Sequence, residues 1–392
     1  MTPTPRIAVI GAGPGGLTCA RVLQRHGIDV AVYERDTDVA ARDQGGTLDL
    51  HAGTGQIALR EAGLLEEFLR LSRPEGQSMR VMARDGTVLV DHVAADGEDA
   101  APEIDRRQLR ALLAESLAPG TIRWDHRLSA VTPGPAGTSR LTFADGTETE
   151  VDLVIGADGA WSRVRPLVSA AAPAYTDVTF VEAHFDDVDV WHPAVAELVG
   201  DGNLFAAGDH KGLIAQRNSN HHVRVYIALT TDQDWLRAAG IDPTDTAAVR
   251  TALLTAFTGW DARLLRLITD NDGPYVNRPL HVLPASHTWP NTPGATLLGD
   301  AAHLMSPFGG FGANLAMLDG AELARALVRY ADVDDAITEY ERVMVPRGAE
   351  HAALADEGLR RFFGPGDRDG ADVPDVEAEN ERYKREAAAY GS

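Results

Sequence analysis

A single cysteine, Cys19, stands in 392 residues, so no disulfide can close within the chain and packing must hold the fold. That scarcity fits a reducing compartment. Cys19, inside an apolar helical stretch, reads as a small core residue rather than a reactive thiol. Long apolar runs are also missing: none approaches the roughly 20 residues that cross a bilayer. The opening MTPTPRIAVIGAG has one basic residue and an apolar run cut short by glycine, which is the pattern of a first strand and not of a signal peptide. Positive charge is scarce too. Lys and Arg number 36 against 58 Asp and Glu, a formal net charge of -22 that opposes binding to nucleic-acid phosphates or an anionic membrane surface. A cytoplasmic monomer without nucleic-acid or membrane partners is expected.

The chain is long enough for two or three units with filled cores. Residues 6–10 form a short continuous apolar run, 14–26 carry apolar residues at helical spacing, and 30–33 form a second strand, together a βαβ unit. Helices are expected over 56–71 and 104–117, and a hairpin over 79–93 turns at Asp85-Gly86. Alternation over 121–150 suggests a small meander feeding an apolar strand at 151–155. The pattern then changes. Alternating segments at 178–190, 204–216 and 222–229 imply an antiparallel sheet, with a helical stretch at 246–268 inserted in it. Residues 295–298 return to an apolar strand and 312–330 to a helix; 333–363 continue as helix, with Pro346 expected to kink or restart it. The charged end, 364–392, is expected to be mobile or a solvated helix.

Gly11, Gly13 and Gly16, with Gly15 beside them, form G-x-G-x-x-G between strand and helix. The first turns the chain, the second lets backbone approach a pyrophosphate and the third allows close helix packing. The helix start adds free N–H groups and a partial positive charge. Glu34, at the end of the second strand, is placed to accept hydrogen bonds from an adenosine ribose, each contributing about 1.5–3 kcal/mol. It also opposes a 2′-phosphate there. This motif alone does not separate NAD from FAD. The segment GDAAHLMSPFGGFGANLAMLDG at 299–320 points to FAD, whose length can use a second contact. Asp300 can hold ribityl hydroxyls, while Gly310 and Gly312 bring a helix start against the flavin. An ordinary capped loop is the plainer alternative. No metal site is expected: His221 and His222 are adjacent on an expected strand and face opposite ways. Asp300 and His303 suggest a dyad, although a solvated or capping histidine fits better, and His51 fits a flavin contact or a loop hydrogen bond equally well.

GAGPGGLT, VYERD, GGTLDLHAGTGQ, PEIDRRQLR, GADGAWSRVR and GDAAHLMSPFGGFGAN together resemble class A flavoprotein monooxygenases of the para-hydroxybenzoate hydroxylase type, closest to the tetracycline-inactivating flavin monooxygenases. The resemblance implies an α/β fold: a Rossmann-type FAD-binding domain with an inserted antiparallel-sheet substrate domain and a C-terminal helix. On this reading residues 1–75, 100–175 and 283–332 bind FAD, 76–99 and 176–282 bind substrate, 333–363 are helical and 364–392 a polar tail. It makes Glu34 and Arg35 adenosine-side contacts, Asp49 a contact near the flavin, and Arg106 a phosphate or ribityl contact. Asp300 binds the ribityl chain, and Gly310, Gly312, Ala313 and Asn314 belong to the flavin loop. Arg42 falls at the position serving the nicotinamide cofactor, and Asp158 in a motif linked to both FAD and NADPH. Arg163 and Arg165 fit either a surface role or a phosphate contact.

For substrate, Glu182 and Leu204 fall where tetracycline-degrading relatives carry a glutamine and an arginine, and Phe311 replaces a usual glutamine. Loss of the arginine's fork of donors disfavours tetracycline and favours another polycyclic or aromatic molecule. Phe185, Leu204, Phe205 and Phe308 are expected to line the pocket with Glu182. The activity implied is insertion of one oxygen atom from O2, with NADPH or NADH as reductant, through a flavin C4a-hydroperoxide. The flavin performs the chemistry, so no side chain is assigned a catalytic role. An FAD-linked reductase without oxygen insertion is the alternative, and a non-enzymatic flavoprotein sensor a third.

Overall fold

The computed structural model describes residues 5–41, 45–95, 97–363 and 375–390. Ile7–Ile10 (IAVI) and Leu153–Gly156 (LVIG) are buried at every position. A strand with no polar face fits only inside a sheet covered on both sides. Both lie in the interior of a five-stranded parallel sheet ordered Ala295–Leu297, Leu153–Gly156, Ile7–Ile10, Val30–Tyr33, Ile122–Arg123. Ile10 pairs with Tyr33 and Gly156, and Gly156 pairs with Leu297, so four strands end at one edge. Loops at the carboxyl edge of such a sheet are where its ligands bind.

Two helices stack beside that edge. Pro14–Arg25 buries Leu17, Cys19, Val22 and Leu23, and Phe311–Arg329 lies against it. A Cβ at Gly15 would stand 2.5 Å from the Ala316 carbonyl oxygen, and one at Gly320 would stand 2.3 Å from the Gly15 oxygen. Glycine at both positions therefore lets the two glycine-rich segments touch backbone to backbone. Cys19 sits inside this packing, and burial pushes its thiol up to about 12, as a core residue should.

The second sheet has seven strands, ordered Val276–Val282, Ala174–Phe185, Val223–Thr230, Lys211–Arg217, Asn203–Gly208, Met79–Ala83, Val88–His92. Its pairings are antiparallel except that of Asn203–Gly208 with Met79–Ala83. The early hairpin thus joins strands more than a hundred residues later in the chain. One face packs on the helices Pro193–Val199, Thr246–Ala256 and Ala262–Thr269 through a core that includes Val181, Phe185, Leu204, Leu213 and Phe257. A three-stranded antiparallel meander, Leu128–Pro133, Ser139–Phe143 and Glu148–Val151, leads into the first sheet.

Several elements differ from expectation. The alternation over 204–216 is a hairpin, turning at Asp209 and His210 with φ of 51° and 58°. The stretch 246–268 breaks before Asp261, whose side chain accepts from the Arg263 N–H and caps a new helix. The stretch 56–71 divides at Gly63 (φ 71°), and 103–105 form a short strand before the helix Arg106–Glu115. His221 and His222 precede their strand in a turn, bonded to Asp189 and Asp186. Pro346 does not restart its helix: Val333–Phe363 is one element of 31 residues, held by buried Tyr340, Met344, Gly348 and Ala352. That packing outweighs a proline cost of about 3 kcal/mol. Within the charged end, Val376–Ala389 is a helix whose Asn380 and Tyr383 are buried. Among the described residues no helix is long and apolar enough to cross a membrane.

Candidate active site

Three glycines at the carboxyl edge each answer to a different constraint. A Cβ at Gly11 (φ 107°) would strike the Ala157 carbonyl at 2.3 Å, and one at Gly16 the Gly11 carbonyl at 2.3 Å. At Gly13, which caps the first helix, a Cβ would meet no protein atom within 4 Å. Gly11 and Gly16 are thus required by the fold, while Gly13 faces space beside free helix N–H groups, where a phosphate can sit.

The second loop completes the opposite end. Asp300 lies on the cavity wall, and none of the hydrogen bonds among described residues engages its carboxylate. Burial pushes that carboxyl upward, against the attraction of His303, Arg106 and Arg165. An acceptor so placed awaits donors such as ribityl hydroxyls. Gly309 and Gly310 take left-handed φ (96° and 66°) to deliver the start of Phe311–Arg329 to the same wall. A Cβ at Gly310 would stand 2.7 Å from Asp49 Oδ2, so Asp49 abuts this loop. Arg106, Gly312 and Ala313 also line the cavity. Asn314 does not. Buried, its Oδ1 accepts from the His51 and Gly55 N–H groups at 2.9 and 3.2 Å, and its Nδ2 donates to the Asp49 and Gly310 carbonyls. It staples two loops together instead of reaching into the site.

Glu34, Arg35, Asp158, Arg163 and Arg165 are not among the residues that line the cavity. Glu34 is buried under the glycine loop: Oε2 accepts from the Ala12 N–H at 2.7 Å and Oε1 from the Asp36 N–H at 3.0 Å. Arg35 is exposed, and Arg42 lies outside the described residues. Asp158 turns its carboxylate into its own loop, accepting from Ser162 Oγ and the Arg163 N–H, while its neighbours Ala157 and Gly159 face the cavity. Burial pushes the Asp158 carboxyl up, and those bonds pull against it. Arg163 is exposed. Arg165 is buried and donates to the carbonyls of Ala160, Asp300 and Ala301, a brace rather than either role expected of it. His303 is not solvated: buried, it bonds Asp319 at 2.6 Å, and Asp319 also pairs with Arg347 at 2.9 Å. His51 makes the loop bond, to Asp49 Oδ2 at 3.0 Å, with Tyr383 stacked on its ring at 4.0 Å.

The far wall is the second face of the seven-stranded sheet. Phe180, Glu182, Phe205 and Tyr226 line it, with Phe308 reaching across from the flavin loop, 6.4 Å from the Phe180 ring. Glu182 pairs with Arg278 at 3.2 Å and Arg224 at 3.5 Å. Phe185 and Leu204, expected in the pocket, are fully buried in the opposite core. Strand alternation decides both cases: Phe185 lies an odd number of residues from Glu182, and Leu204 is adjacent to Phe205. Asn203, Gln216, Tyr226 and Arg278 line the cavity and were not anticipated; strand parity from Phe205 would have pointed to Asn203, whereas Tyr226 comes to the wall through its cross-strand pairing with Glu182. Glu103 lies in the quoted PEIDRRQLR segment, yet only the structure brings it to the wall. The helix Val376–Ala389 closes another side with Glu379, Arg382 and Tyr383. Among the described residues no cluster of side chains could hold a metal ion.

A glycine cradle, an uncommitted acidic acceptor and a second loop on one wall fit an extended nucleotide with a hydroxylated middle, which is FAD. The chain belongs to the FAD-binding-domain family, whose model matches residues 4–266 and 292–350. Within it the chain is an FAD-dependent monooxygenase of class A type. Monooxygenase penA of Penicillium thymicola is 33% identical over 412 residues, covering 90% of this chain and 94% of the relative. Klebsiella pneumoniae HpxO, solved with FAD and uric acid, superposes with a TM-score of 0.77 at 21% identity, over 98% of this chain and 93% of that one. Tetracycline destructase Tet(51) superposes with a TM-score of 0.71 at 18% identity, over 98% and 97%. At those identities the two structures establish the shared fold.

Proposed function

We propose that this monooxygenase uses NADPH or NADH and O2 to place one oxygen atom into an aromatic or polycyclic small molecule held between its two sheets. The observation that carries the reading is one continuous cavity of about 1620 Å³, bounded by Gly13 and Asp300 on one side and by Phe180, Phe205 and Tyr226 on the other. Sites for a single drug-sized ligand run to roughly 300–1,000 Å³, so this space suits a dinucleotide and a second molecule together.

Bound FAD supplies the redox chemistry and the activation of oxygen. Gly13 and the first helix start would hold its phosphates, Asp300 its ribityl hydroxyls, and the start of Phe311–Arg329 would favour negative charge on the ring. Phe180, Phe205 and Phe308 give a substrate ring apolar surface and keep water away from the reacting atoms. Glu182 with Arg278 and Arg224 offers a polar end for substrate hydroxyls or carbonyls. With the FAD cradle already assigned, the reductant is read as docking transiently. The division into an FAD-binding part (1–75, 100–175, 283–332) and a substrate-binding part (76–99, 176–282), a monomeric state and a cytoplasmic location belong to the same proposal.

The test is turnover under ¹⁸O2 with NADPH or NADH over a panel of polycyclic and simple phenols, read by mass spectrometry. One labelled oxygen atom in the product is expected. Reductant consumed with no label in any organic product would favour a reductase instead.

A further inference from the structure

Two carboxylates face each other across the short ribbon of Thr47–Asp49 and Glu103–Asp105: Asp49 and Glu103 are direct partners in its antiparallel register. Opposed residues of such a pair project from the same face with Cβ atoms about 5 Å apart, and like charges there repel. Both line the cavity. Asp49 abuts the flavin loop at Gly310, whereas Glu103 Oε1 accepts from Asn203 Nδ2 at 2.9 Å. Asn203 precedes Phe205 by two residues and shares its face of the sheet, so Glu103 stands where the flavin wall meets the substrate wall.

The bonding around Glu103 admits two proton arrangements. Thr47 Oγ1 lies 2.6 Å from Glu103 Oε2 and 3.0 Å from the Ile104 carbonyl oxygen, and it has one hydrogen to give. With Glu103 ionised, that hydrogen goes to Glu103. With Glu103 protonated, the carboxyl donates to Thr47 and Thr47 donates to Ile104. Neither arrangement breaks a contact. Burial first, and then the Asp49 charge, push the Glu103 carboxyl up to about 7, while Thr47, Asn203 and Arg73 pull the other way. Those are the charged and bonding groups that face it from the partner strand, the second sheet and the preceding loop.

We propose that Glu103 is the proton-exchanging group of this cavity, taking the proton of a substrate hydroxyl and returning it to the product. In the forward step the substrate O–H bond breaks, its electron pair stays on the substrate oxygen and the proton passes to a Glu103 carboxylate oxygen. The resulting phenolate ring is richer in electrons toward an incoming oxygen atom. After insertion the ring carbon that gained oxygen releases its hydrogen as a proton, which leaves with the second atom of O2 as water. The phenolic oxygen takes back the proton held on Glu103, so Glu103 ends ionised as it began. This rests on the monooxygenase reading above.

The experiment compares FAD-loaded wild type with Glu103→Gln, Glu103→Asp and Thr47→Val. In wild type the bound flavin's absorption is expected to titrate with a midpoint near 7, and Glu103→Gln to lose that step while keeping FAD. With the phenol labelled in the ¹⁸O2 screen, kcat of wild type should rise with pH through the same midpoint. Glu103→Gln should lower kcat by about 100-fold with KM little changed and abolish the pH limb. Glu103→Asp should restore the limb in part, and Thr47→Val should move its midpoint. A merely structural bracket would lower stability in Glu103→Gln and leave the limb in place. A Glu103→Gln enzyme that keeps both kcat and the limb overturns the proposal. If no phenol is labelled, the monooxygenase reading fails separately, and an unchanged flavin titration in Glu103→Gln still refutes the role of Glu103.

Discussion

Leu204 and Phe205 are chain neighbours with opposite surroundings: Leu204 is sealed in the helix-covered core and Phe205 lines the cavity. Leu204→Ala is therefore expected to cost about 2–5 kcal/mol of unfolding free energy, measured by urea denaturation, with the KM of the remaining folded enzyme unchanged. Phe205→Ala should raise KM for an aromatic substrate and leave stability nearly intact. Equal effects at both positions would contradict the assigned faces. At this scale the sequence was legible where chemistry is local. The glycine triplet, Asp300, Asp49 and Arg106 all reach the cavity wall or its cradle. It was illegible where a side chain's direction depends on strand register, as with Phe185, or on which backbone group lies nearest, as with Asp158 and Asn314. A motif match preserves position, but it does not say whether a carboxylate or amide turns toward the ligand or back into its own loop.

At the scale of elements, helix Phe311–Arg329 is tied to the rest of the molecule from both flanks. Gly320 presses it on the first helix, while Asp319 on its other side takes His303 and Arg347. Burial opposes charge on both His303 and Asp319, yet their mutual attraction at 2.6 Å prevails: His303 is held above 6.5 and Asp319 below 3.8. The signs set a window. The His303 contribution is complete below 6.5 and is lost as pH rises through its raised value. The Asp319 contribution is present above 3.8 and is lost as pH falls through its lowered one. The stability gap between wild type and His303→Gln, followed by thermal unfolding across pH, is thus expected to be widest between 3.8 and 6.5 and to narrow on the alkaline side. A gap that stays constant to high pH would contradict an ionised pair. Four strands of the parallel sheet were legible because each is short and apolar, and three of them, Ile7–Ile10, Leu153–Gly156 and Ala295–Leu297, run into glycine; the edge strand Ile122–Arg123, expected within the meander, was not. Of the two outcomes expected at Pro346, the restart does not occur, because its penalty is local whereas the buried stripe runs from Ala336 to Phe363.

At the scale of the molecule, two sheets of different construction share one cavity, and the segments that wall it come from both ends of the chain. The match of the family model over 4–266 and 292–350 stops short of helix Val376–Ala389, whose Tyr383 nevertheless stacks on His51 at the cavity's edge. Polarity in the last residues suggested a solvated helix or a mobile tail; two buried side chains were enough to dock it. Acids outnumber arginines on the cavity lining as they do in the whole chain, with Arg106 and Arg278 standing among them.

The central claim is that Gly13 and Asp300, 287 residues apart in the chain, grip one FAD. FAD titration of the apoprotein, followed by flavin fluorescence and absorbance, tests it with wild type, Gly13→Val and Asp300→Ala. A side chain at Gly13 meets open space, so the fold of that variant should persist. One FAD per chain is expected in wild type, with each variant folded and weakened by about 100-fold or more, roughly 2.7 kcal/mol. Full flavin occupancy at wild-type affinity in both variants would contradict the account.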